Sequence, residues 1–474
     1  MCTRGFPGAH YREMGTSTTA ADTTRTAPLA AEKRPYRPYT AWVLVLFALV
    51  STFSFVDRII VQVLVQPIKA ELRVSDAKMG FLGGMTFAVL YALLSIPIAR
   101  VAERKNRIAI ISISTALWSL ATAVSGFASN FTHLVLARIG VGVGEAAGGP
   151  ATTSVIADYF PRQQRASAMA IYGLAVPLGA LIGGSLGGFI ALHWGWRAAF
   201  LVVGIPGVVL ALLQWLTIRE PARGQNDPGI DVSQTPPFTA VLRRFRNRPA
   251  LMNIIFGATI STVAGYGVNY FLAAYLSRRF GLNYAQAGLL VGLISSVPAS
   301  LSFLAGGFLS DWAGRRRAYW YALIPALGSA LCAPFYISAV RADTWVIAAA
   351  FLSIAAMCQY AYIPAAAAIT QNMMEPRMRA SATAVTGLIY TLVGQGLGPL
   401  LVGALSDHFT RRAFAGDFNW SCHADAGVVS VACGQATSMG LETALTLWAL
   451  LYLWSGLHLA LGSRTLGRDL ARKD

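Results

Sequence analysis

Charged residues are scarce in this chain of 474 residues, where they make up 12%, half of the ~25% that is usual for soluble proteins. Hydrophobic residues make up 55%, and the mean hydropathy is +0.53. Five cysteines are too few for a disulfide scaffold, and no Cys or His spacing is typical of a metal site. These shortages exclude a disulfide-rich secreted domain, a disordered chain and a soluble globular protein. They predict a membrane protein with many spans.

Other absences narrow the function. The sequence has no ATP-binding loop of the Gly-x-x-x-x-Gly-Lys-Ser/Thr type. Its six histidines are scattered, and no nucleophile and base pair is evident at membrane depth, as an enzyme acting on lipid would require. We therefore expect no enzyme activity, no metal and no cofactor, and the energy source should be an ion gradient or the gradient of the substrate itself.

The N-terminal segment lacks the apolar stretch of a signal peptide. We expect residues 1–40 to form a disordered cytoplasmic tail, and Met14 is an alternative start of translation.

Twelve apolar runs are long enough to cross ~30 Å of hydrocarbon. They cover roughly residues 41–66, 79–99, 108–128, 131–157, 166–192, 198–218, 250–276, 285–310, 318–340, 344–370, 381–406 and 440–463. The predicted fold is an all-α membrane protein with twelve transmembrane helices in two pseudo-symmetric six-helix bundles. The predicted divisions are an N-terminal bundle at 41–218, a cytoplasmic linker at 219–249, a C-terminal bundle at 250–465 and a cytoplasmic tail at 466–474.

The net charge of +17 comes from basic clusters between the apolar runs, and this placement argues against a nucleic-acid partner. A cytoplasmic N-terminus puts 27 of the 38 Lys and Arg residues inside. The sequence therefore predicts a multi-pass protein of the plasma (inner) membrane with both termini cytoplasmic. In the linker, Arg243, Arg244, Arg246 and Arg248 are expected at the lipid headgroups, although a solvated charge run is equally compatible with the pattern.

Two landmarks repeat along the chain. The segment Ala99 to Arg107 aligns with Gly307 to Arg315, and Arg165-Ala-Ser-Ala recurs as Arg379-Ala-Ser-Ala. The two repeats are separated by nearly the same distance along the sequence, which indicates an internal duplication. Such parallel halves are typical of transporters whose substrate site lies at mid-membrane between them.

The run Gly-x-Leu-Ser-Asp-x-x-Gly-Arg-Arg, from Gly307 to Arg316, resembles the loop motif of the major facilitator superfamily. The resemblance covers about residues 41–465, and it implies that this loop latches the outward-open state. The gating residues implied by it are Glu103, Arg104, Arg107, Asp311 and Arg315. The first copy departs from the pattern, with Glu103 in place of the aspartate, so its latch is expected to be weaker.

A narrower resemblance is to the Spinster branch of this superfamily, which includes sphingolipid-phosphate and lysophospholipid transporters. It rests on Phe55-Val-Asp57-Arg58, Trp118-Ser119, Arg138-Ile-Gly-Val-Gly-Val-Gly-Glu145-Ala146 and Asp158-Tyr-Phe-Pro161. An Asp-Arg pair in the first span also occurs in organic-anion symporters, and it is the combination with Glu145 that favours Spinster.

Four ionisable residues lie within the N-terminal spans: Asp57, Arg58, Arg138 and Glu145. Placing each of these side chains at the centre of a membrane helix costs roughly 2.5 to 3.5 kcal/mol, so each is expected to have a structural or functional role. Depth along the helices puts Asp57 level with Arg138, while Arg58 faces either Glu145 or a substrate anion. We predict that Asp57 carries the coupling proton with Arg138 as its switch, or else that Glu145 carries it. A purely structural ion-pair network is the alternative.

Polar and aromatic residues in the C-terminal half are candidates for the substrate cavity, although packing roles are common for such residues. They are Tyr266, Asn269, Tyr270, Gln359, Tyr360 and Tyr362. Cys422 and Cys433 share a long loop that is external in the predicted topology, and they are candidates for a disulfide.

The sequence thus predicts a proton-coupled transporter of an amphipathic anion, such as a lysophospholipid or sphingolipid phosphate. Its partners would be this small substrate and membrane lipids, and we expect a monomer. The alternative within transport is an organic-acid or drug carrier. A sensor that binds without transport is a third possibility, and sodium coupling is disfavoured because no discontinuous helix is evident.

Overall fold

The chain is helical throughout the computed structural model, which describes residues 38–146, 148–223, 238–375, 378–414, 418, 422 and 431–471. The first half contains α1 Pro38–Val63, α2 Val65–Leu72, α3 Asp76–Gly83, α4 Met85–Arg104, α5 Arg107–Ser125, α6 Phe131–Glu145, α7 Gly148–Tyr159, α8 Arg162–Gly173 and α9 Ala175–Thr217. The second half contains α10 Phe238–Asn247, α11 Pro249–Phe280, α12 Tyr284–Gly314, α13 Trp320–Val340, α14 Trp345–Gln359, α15 Tyr362–Asn372, α16 Arg379–Ile389, a π-helix Tyr390–Gln395, α17 Gly396–Ala413, α18 Val431–Ala449 and α19 Leu451–Ala471. No strand is found among these residues.

Ten helical stretches of the described chain are long and apolar enough to cross a membrane. One of them runs over 51 residues, Ser167–Thr217, and its φ angle is 82° at Gly195. Glycine adopts this conformation without steric cost, and it allows the chain to bend between the predicted fifth and sixth spans. The predicted fourth span is formed by α6 and α7, which are not among the ten. The fold is therefore that of an all-helical membrane protein.

The internal duplication predicted from the sequence recurs in the geometry. Helices α6 and α14 have the same length. The number of residues from the start of α6 to the start of α14 equals the number from Arg165 to Arg379, and the same holds for α7 and α15. The repeated arginines also make the same contact, because Arg165 donates to the carbonyl of Ala157 and Arg379 donates to that of Gln371. Each arginine thus binds the last turns of the preceding span in its own half.

The close contacts between the two halves concentrate at one end of the molecule, which we call the closed end. There, α9 packs on α12 so tightly that a β-carbon at Gly184 would overlap the backbone of Gly288 and Gly292. Helix α3 packs on α17 at the same end. At the opposite end, called the open end, the side chains of Arg104, Asp311 and Arg315 are exposed. The space between the halves therefore opens toward the end that carries α10.

The predicted tails and linker differ in part from the expectation. Residues 1–37, 224–237 and 472–474 lie outside the described residues, whereas residues 38–40 and 466–471 continue helices. The last helix is held because Asp469 is buried and accepts the backbone N–H of Ala250 at 2.9 Å.

The structure corrects the expectation that Arg248 lies at the lipid headgroups. Its side chain is buried and donates to the carbonyl oxygen of Asp469, because it follows α10 on the face that packs against the protein. Arg243 and Arg246 are exposed, and Arg244 binds Glu375 at 2.9 Å.

Candidate functional site

Asp57 lies in the middle of α1 and is fully buried. Its Oδ2 accepts a hydrogen bond from Arg138 Nη1 at 2.7 Å, and its Oδ1 accepts one from Thr122 Oγ1 at 2.8 Å. Two charges removed from water are tolerable only when they compensate each other, so the pair ties α1, α5 and α6 together. The sequence predicts the same membrane depth for Asp57 and Arg138, but nothing in the sequence indicates a role for Thr122.

The neighbouring Arg58 points in another direction and binds Glu145. Its Nε donates to Glu145 Oε2 at 2.9 Å, and Nη2 donates to the same oxygen. The guanidinium lies over the rings of Phe55, Phe87 and Tyr91, with the nearest ring centre 4.7 Å away. Of the two partners that the sequence left open for Arg58, Glu145 is the one that it contacts in this conformation.

Two buried atoms of this cluster have no hydrogen-bond partner among the described residues. They are Arg138 Nε and Glu145 Oε1. An unsatisfied buried carboxylate oxygen is costly, so Glu145 Oε1 is an acceptor available for one more hydrogen bond.

The repeat shows what the second half has in place of this acid. Helix α6 ends at Glu145, and its counterpart α14 ends at Gln359, an amide of nearly the same shape. Gln359 is buried and accepts a hydrogen bond from the hydroxyl of Tyr336. The four membrane charges thus belong to one half, and the matching position in the other half is neutral.

A cavity of about 320 Å³ lies between the two halves, next to the charge cluster. Arg58 and Arg138 line it from the first half. The second half lines it with all six residues predicted from the sequence: Tyr266, Asn269, Tyr270, Gln359, Tyr360 and Tyr362. Further polar residues of the lining that the sequence had not indicated are Gln62, Ser261, Thr262, Ser295, Tyr390, Thr391 and Gln395.

Several of these side chains are already engaged. Asn269 Nδ2 donates to Tyr360 Oη at 3.0 Å, and Tyr362 Oη lies 2.8 Å from Thr262 Oγ1. Tyr270 donates to the carbonyl oxygen of Met79, across the two halves, at 2.7 Å. Tyr270 therefore closes one end of the cavity, whereas Tyr266 is partly exposed to it.

A group of polar residues seals the closed end, and the sequence had not indicated it. We call it the closure cluster: Lys69, Asp76, Arg278, Ser406 and Asp407. The fully buried Asp76 of α3 accepts hydrogen bonds from Arg278 at 2.6 and 2.7 Å, from Lys69 at 2.6 Å and from Ser406 at 2.7 Å. Asp407 accepts the first backbone N–H groups of α3 at 2.8 and 2.9 Å. Because α3 belongs to one half and α11 and α17 to the other, the bonds made by Arg278, Ser406 and Asp407 exist only while the end is closed, whereas the bond between Lys69 and Asp76 lies within the first half.

Among the predicted gating residues whose side chains the structure describes, no side-chain hydrogen bond or ion pair joins one to another. Asp311 accepts a hydrogen bond from Tyr321 of the next helix at 2.6 Å, within its own half. Arg104 and Arg315 are exposed, and the side chain of Glu103 lies outside the described set. A latch that is disengaged agrees with a molecule open at this end.

Arg107, also predicted as a gating residue, is instead buried within the first half. Its guanidinium binds Asp158 at 2.5 Å and Glu220 at 2.6 Å. The other carboxylate oxygen of Glu220 accepts the backbone N–H groups at positions 107 and 108, so it caps the start of α5. This contact joins the beginning of α5, the end of α7 and the end of α9.

We expect Glu220→Gln to destabilise the protein by about 2 kcal/mol, because a charged hydrogen bond to a buried arginine is weakened. Thermal unfolding of the purified protein measures the effect as a lower Tm. The control is Glu375→Gln, whose side chain is 51% exposed and whose pair with Arg244 is expected to contribute less than about 1 kcal/mol. Equal losses in the two variants would contradict the structural role of Arg107.

Cys422 and Cys433 form a disulfide at the closed end, with Cα atoms 5.9 Å apart. The two sulfurs lie among the residues that border a second, larger cavity next to the closure cluster. Within the described part of the chain, no group of three or more His, Cys, Asp or Glu residues is arranged to hold a metal ion.

Comparisons with known proteins agree with this architecture. The profile of the family described as Major Facilitator Superfamily matches residues 47–399. An MFS-type efflux pump of Mycolicibacterium smegmatis is 30% identical over 374 residues, which cover 79% of this chain and 86% of that protein. A probable L-galactonate transporter of Escherichia coli is 28% identical over 58% of this chain and 61% of its own length.

Among solved structures, a bacterial homologue of the human lysosomal transporter Spinster, inward-facing and unoccupied, superimposes with a TM-score of 0.83. It is 32% identical, and the match covers 92% of this chain and 99% of that one.

Proposed function

The chain belongs to the major facilitator superfamily and resembles its Spinster branch, and from that premise we propose that it is a proton-coupled transporter of an anionic substrate. The observation that carries the proposal is the cavity between the halves, which is sealed at one end and lined by Arg58 beside two buried ion pairs. Alternating access would consist of opening the closed end while the other end closes.

We propose twelve spans in two bundles of six. Ten helical stretches meet the length and hydropathy requirements, the long one bends at Gly195, and α6 with α7 supplies the remaining crossing. The positive-inside rule then puts the open end, with its basic residues, in the cytoplasm of a cell whose plasma (inner) membrane holds the protein. In that orientation both termini are cytoplasmic, and the molecule is inward-facing. We propose a monomer that acts without a cofactor.

The coupling of proton and substrate movement would depend on competition between the carboxylates of Asp57 and Glu145 and the substrate anion for the two arginines. A proton on Asp57 would release Arg138, and a proton on Glu145 would release Arg58 for a substrate anion. We propose Asp57 as the coupling site, because its carboxylate holds together three helices of the half that must move. Glu145 is the alternative site.

For the substrate we propose an amphipathic anion, such as a lysophospholipid or a sphingolipid phosphate. Arg58 would bind the anionic headgroup, and the aromatic rings around it would contact the apolar part. A second candidate is a hydroxylated organic acid, favoured by the hydroxyl and amide groups of Ser261, Thr262 and Gln395 in the opposite wall. The relative described as a probable L-galactonate transporter supports this candidate. A drug carrier of the same superfamily is the other alternative.

Uptake of a labelled lysophospholipid into proteoliposomes, with and without an inward-acid pH gradient, tests the proposal. In Asp57→Asn, flux in the pH gradient is expected to fall to the level measured without a gradient, since asparagine cannot bind and release a proton. Substrate exchange without a gradient should be retained. Thr122→Val is the matched control, because it removes one hydrogen bond to Asp57 but leaves the carboxyl group.

Each outcome decides between the candidates. Equal gradient-driven flux in wild type and Asp57→Asn would contradict proton coupling through Asp57 and reduce the ion pairs to a scaffold. Absence of lysophospholipid flux, with uptake of galactonate or of a small aromatic anion, would select the organic-acid or drug carrier instead.

A further inference from the structure

A second cavity lies outside the closure cluster, at the closed end of the molecule. Its volume is about 780 Å³, and it is bordered by α2, the ends of α11 and α17, and the beginning of α18. Four basic side chains line it: Lys69, Arg73, Arg278 and Arg411. Among the described residues of its lining, Asp407 is the one acid. We call this cavity the vestibule.

The charges of the described part of the vestibule are predominantly positive. Asp76, behind the lining, is shared by Lys69 and Arg278, and Asp407 is directed at the positive end of α3. Even without Arg73, the three described cations Lys69, Arg278 and Arg411 outnumber these two acids. A concave site of one sign of charge concentrates ions of the opposite sign.

Lys69 stands at the boundary between the vestibule and the closure cluster. Its side chain is 21% exposed, although its Nζ is bonded to Asp76. Burial and the neighbouring Arg278 guanidinium lower the pKa of Lys69, which means that its charged form lacks sufficient compensation. A second anion beside Lys69 and Arg278 would supply it.

We propose that the vestibule binds an oxyanion, a phosphate or carboxylate group, at Arg278 and Arg411 of the second half, and that this anion competes with Asp76 of the first half for Arg278 and so loosens the closed end. The inference extends the proposed function, because it gives the transported anion a second binding station on the outer side. Arg411 and the positive charge of the lining attract the anion, and Arg278 transmits its presence to the contact between the halves, because its bonds to Asp76 cross between them. The same chemistry fits the headgroup of an amphipathic substrate and a free inorganic anion.

The test measures the separation of the halves at the closed end by double electron–electron resonance. Nitroxide labels are attached at Thr132→Cys and Asp343→Cys, two exposed positions on opposite halves. The background carries Cys2→Ser, Cys332→Ala and Cys358→Ala and keeps the disulfide. Distances are recorded with inorganic phosphate, with lysophosphatidate, and with sodium chloride at matched ionic strength.

Phosphate or lysophosphatidate is expected to raise the ratio of separated to closed molecules about fivefold over chloride, the low end of allosteric coupling. Arg411→Gln should raise the concentration needed for half of this effect about fivefold, which corresponds to about 1 kcal/mol. Arg412→Gln is the matched control, because Arg412 is its exposed neighbour and does not line the vestibule. Its response should equal that of wild type.

A response to both anions supports an oxyanion site open to either source, and a response to lysophosphatidate alone supports a substrate station. Equal distance distributions in phosphate, lysophosphatidate and chloride would overturn the proposal, as would identical responses of the Arg411 and Arg412 variants. The distances do not depend on transport. Failure to transport lysophospholipid would therefore contradict the proposed substrate without affecting this result.

Discussion

Arg58→Gln is expected to weaken the binding of anions in the central cavity about hundredfold. Arg58 is the cation that the cavity can reach, since its side chain is 24% exposed, whereas that of Arg138 is 3% exposed and bonded to Asp57. A guanidinium makes two charge-assisted hydrogen bonds to a phosphate or carboxylate, each contributing about 1.5 kcal/mol, and their sum corresponds to a hundredfold change in Kd. Equilibrium binding of labelled lysophospholipid and of galactonate to the purified protein measures it.

Glu145→Gln should have the opposite effect. In the present conformation the Glu145 carboxylate is bonded to the Arg58 guanidinium, so an anion that binds Arg58 must displace this carboxylate. Removing the negative charge abolishes that competition and should strengthen anion binding at least about threefold, and it should also make binding less sensitive to pH. Arg58→Lys is the matched control for geometry, because it keeps the charge but loses the planar fork.

The two variants together distinguish a role of Arg58 and Glu145 in anion binding from a purely structural role. If Arg58 and Glu145 formed only a structural pair, both substitutions would reduce binding and thermal stability in parallel. The double variant Arg58→Gln, Glu145→Gln would then be more stable than either single variant, with anion binding following stability. Opposite signs in the single variants contradict that explanation.

Much of this site could be predicted from the sequence because a charge in an apolar helix is conspicuous and must find a partner. Helix geometry alone put Asp57 and Arg138 at the same depth, and the structure brings them within 2.7 Å. Thr122 could not be identified in this way. A threonine hydroxyl can equally well donate a hydrogen bond to a backbone carbonyl of its own helix. Only the packing of α5 against α1 directs the hydroxyl of Thr122 at Asp57.

The closure cluster escaped the sequence analysis for a different reason. Asp76, Arg278 and Asp407 stand at the ends of spans, where charges are ordinary and normally face water or headgroups. Their partners lie far away along the chain, in the other half, and they meet in one conformation only. Conversely, Arg107 matched a gating motif, but its depth within the first half, next to Glu220, could be seen only in the structure.

Asp76→Asn is expected to shift the molecule strongly toward opening of the closed end. The substitution leaves Arg278 and Lys69 without their shared carboxylate in a buried position, which typically costs about 3 kcal/mol or more for a broken buried pair. The cost of the lost bonds from Arg278 and Ser406 falls on the closed arrangement alone, because these bonds cross between the halves, whereas the bond from Lys69 lies within the first half and does not affect the balance. The ratio of separated to closed molecules should therefore rise more than about hundredfold. The labels at Thr132→Cys and Asp343→Cys report it.

Ser406→Ala is the control for this prediction, because it removes one neutral donor to Asp76 and should shift the ratio only about fivefold. In Asp76→Asn, inorganic phosphate should no longer change the distances, since an anion in the vestibule has no carboxylate left to displace. An Asp76→Asn protein that stays closed would show that apolar contacts, such as those between α9 and α12, hold the end by themselves. A lower Tm with unchanged distances would instead assign Asp76 to the overall stability of the protein. The substitution would then lower the free energy of unfolding and leave the equilibrium between the closed and separated folded states unchanged.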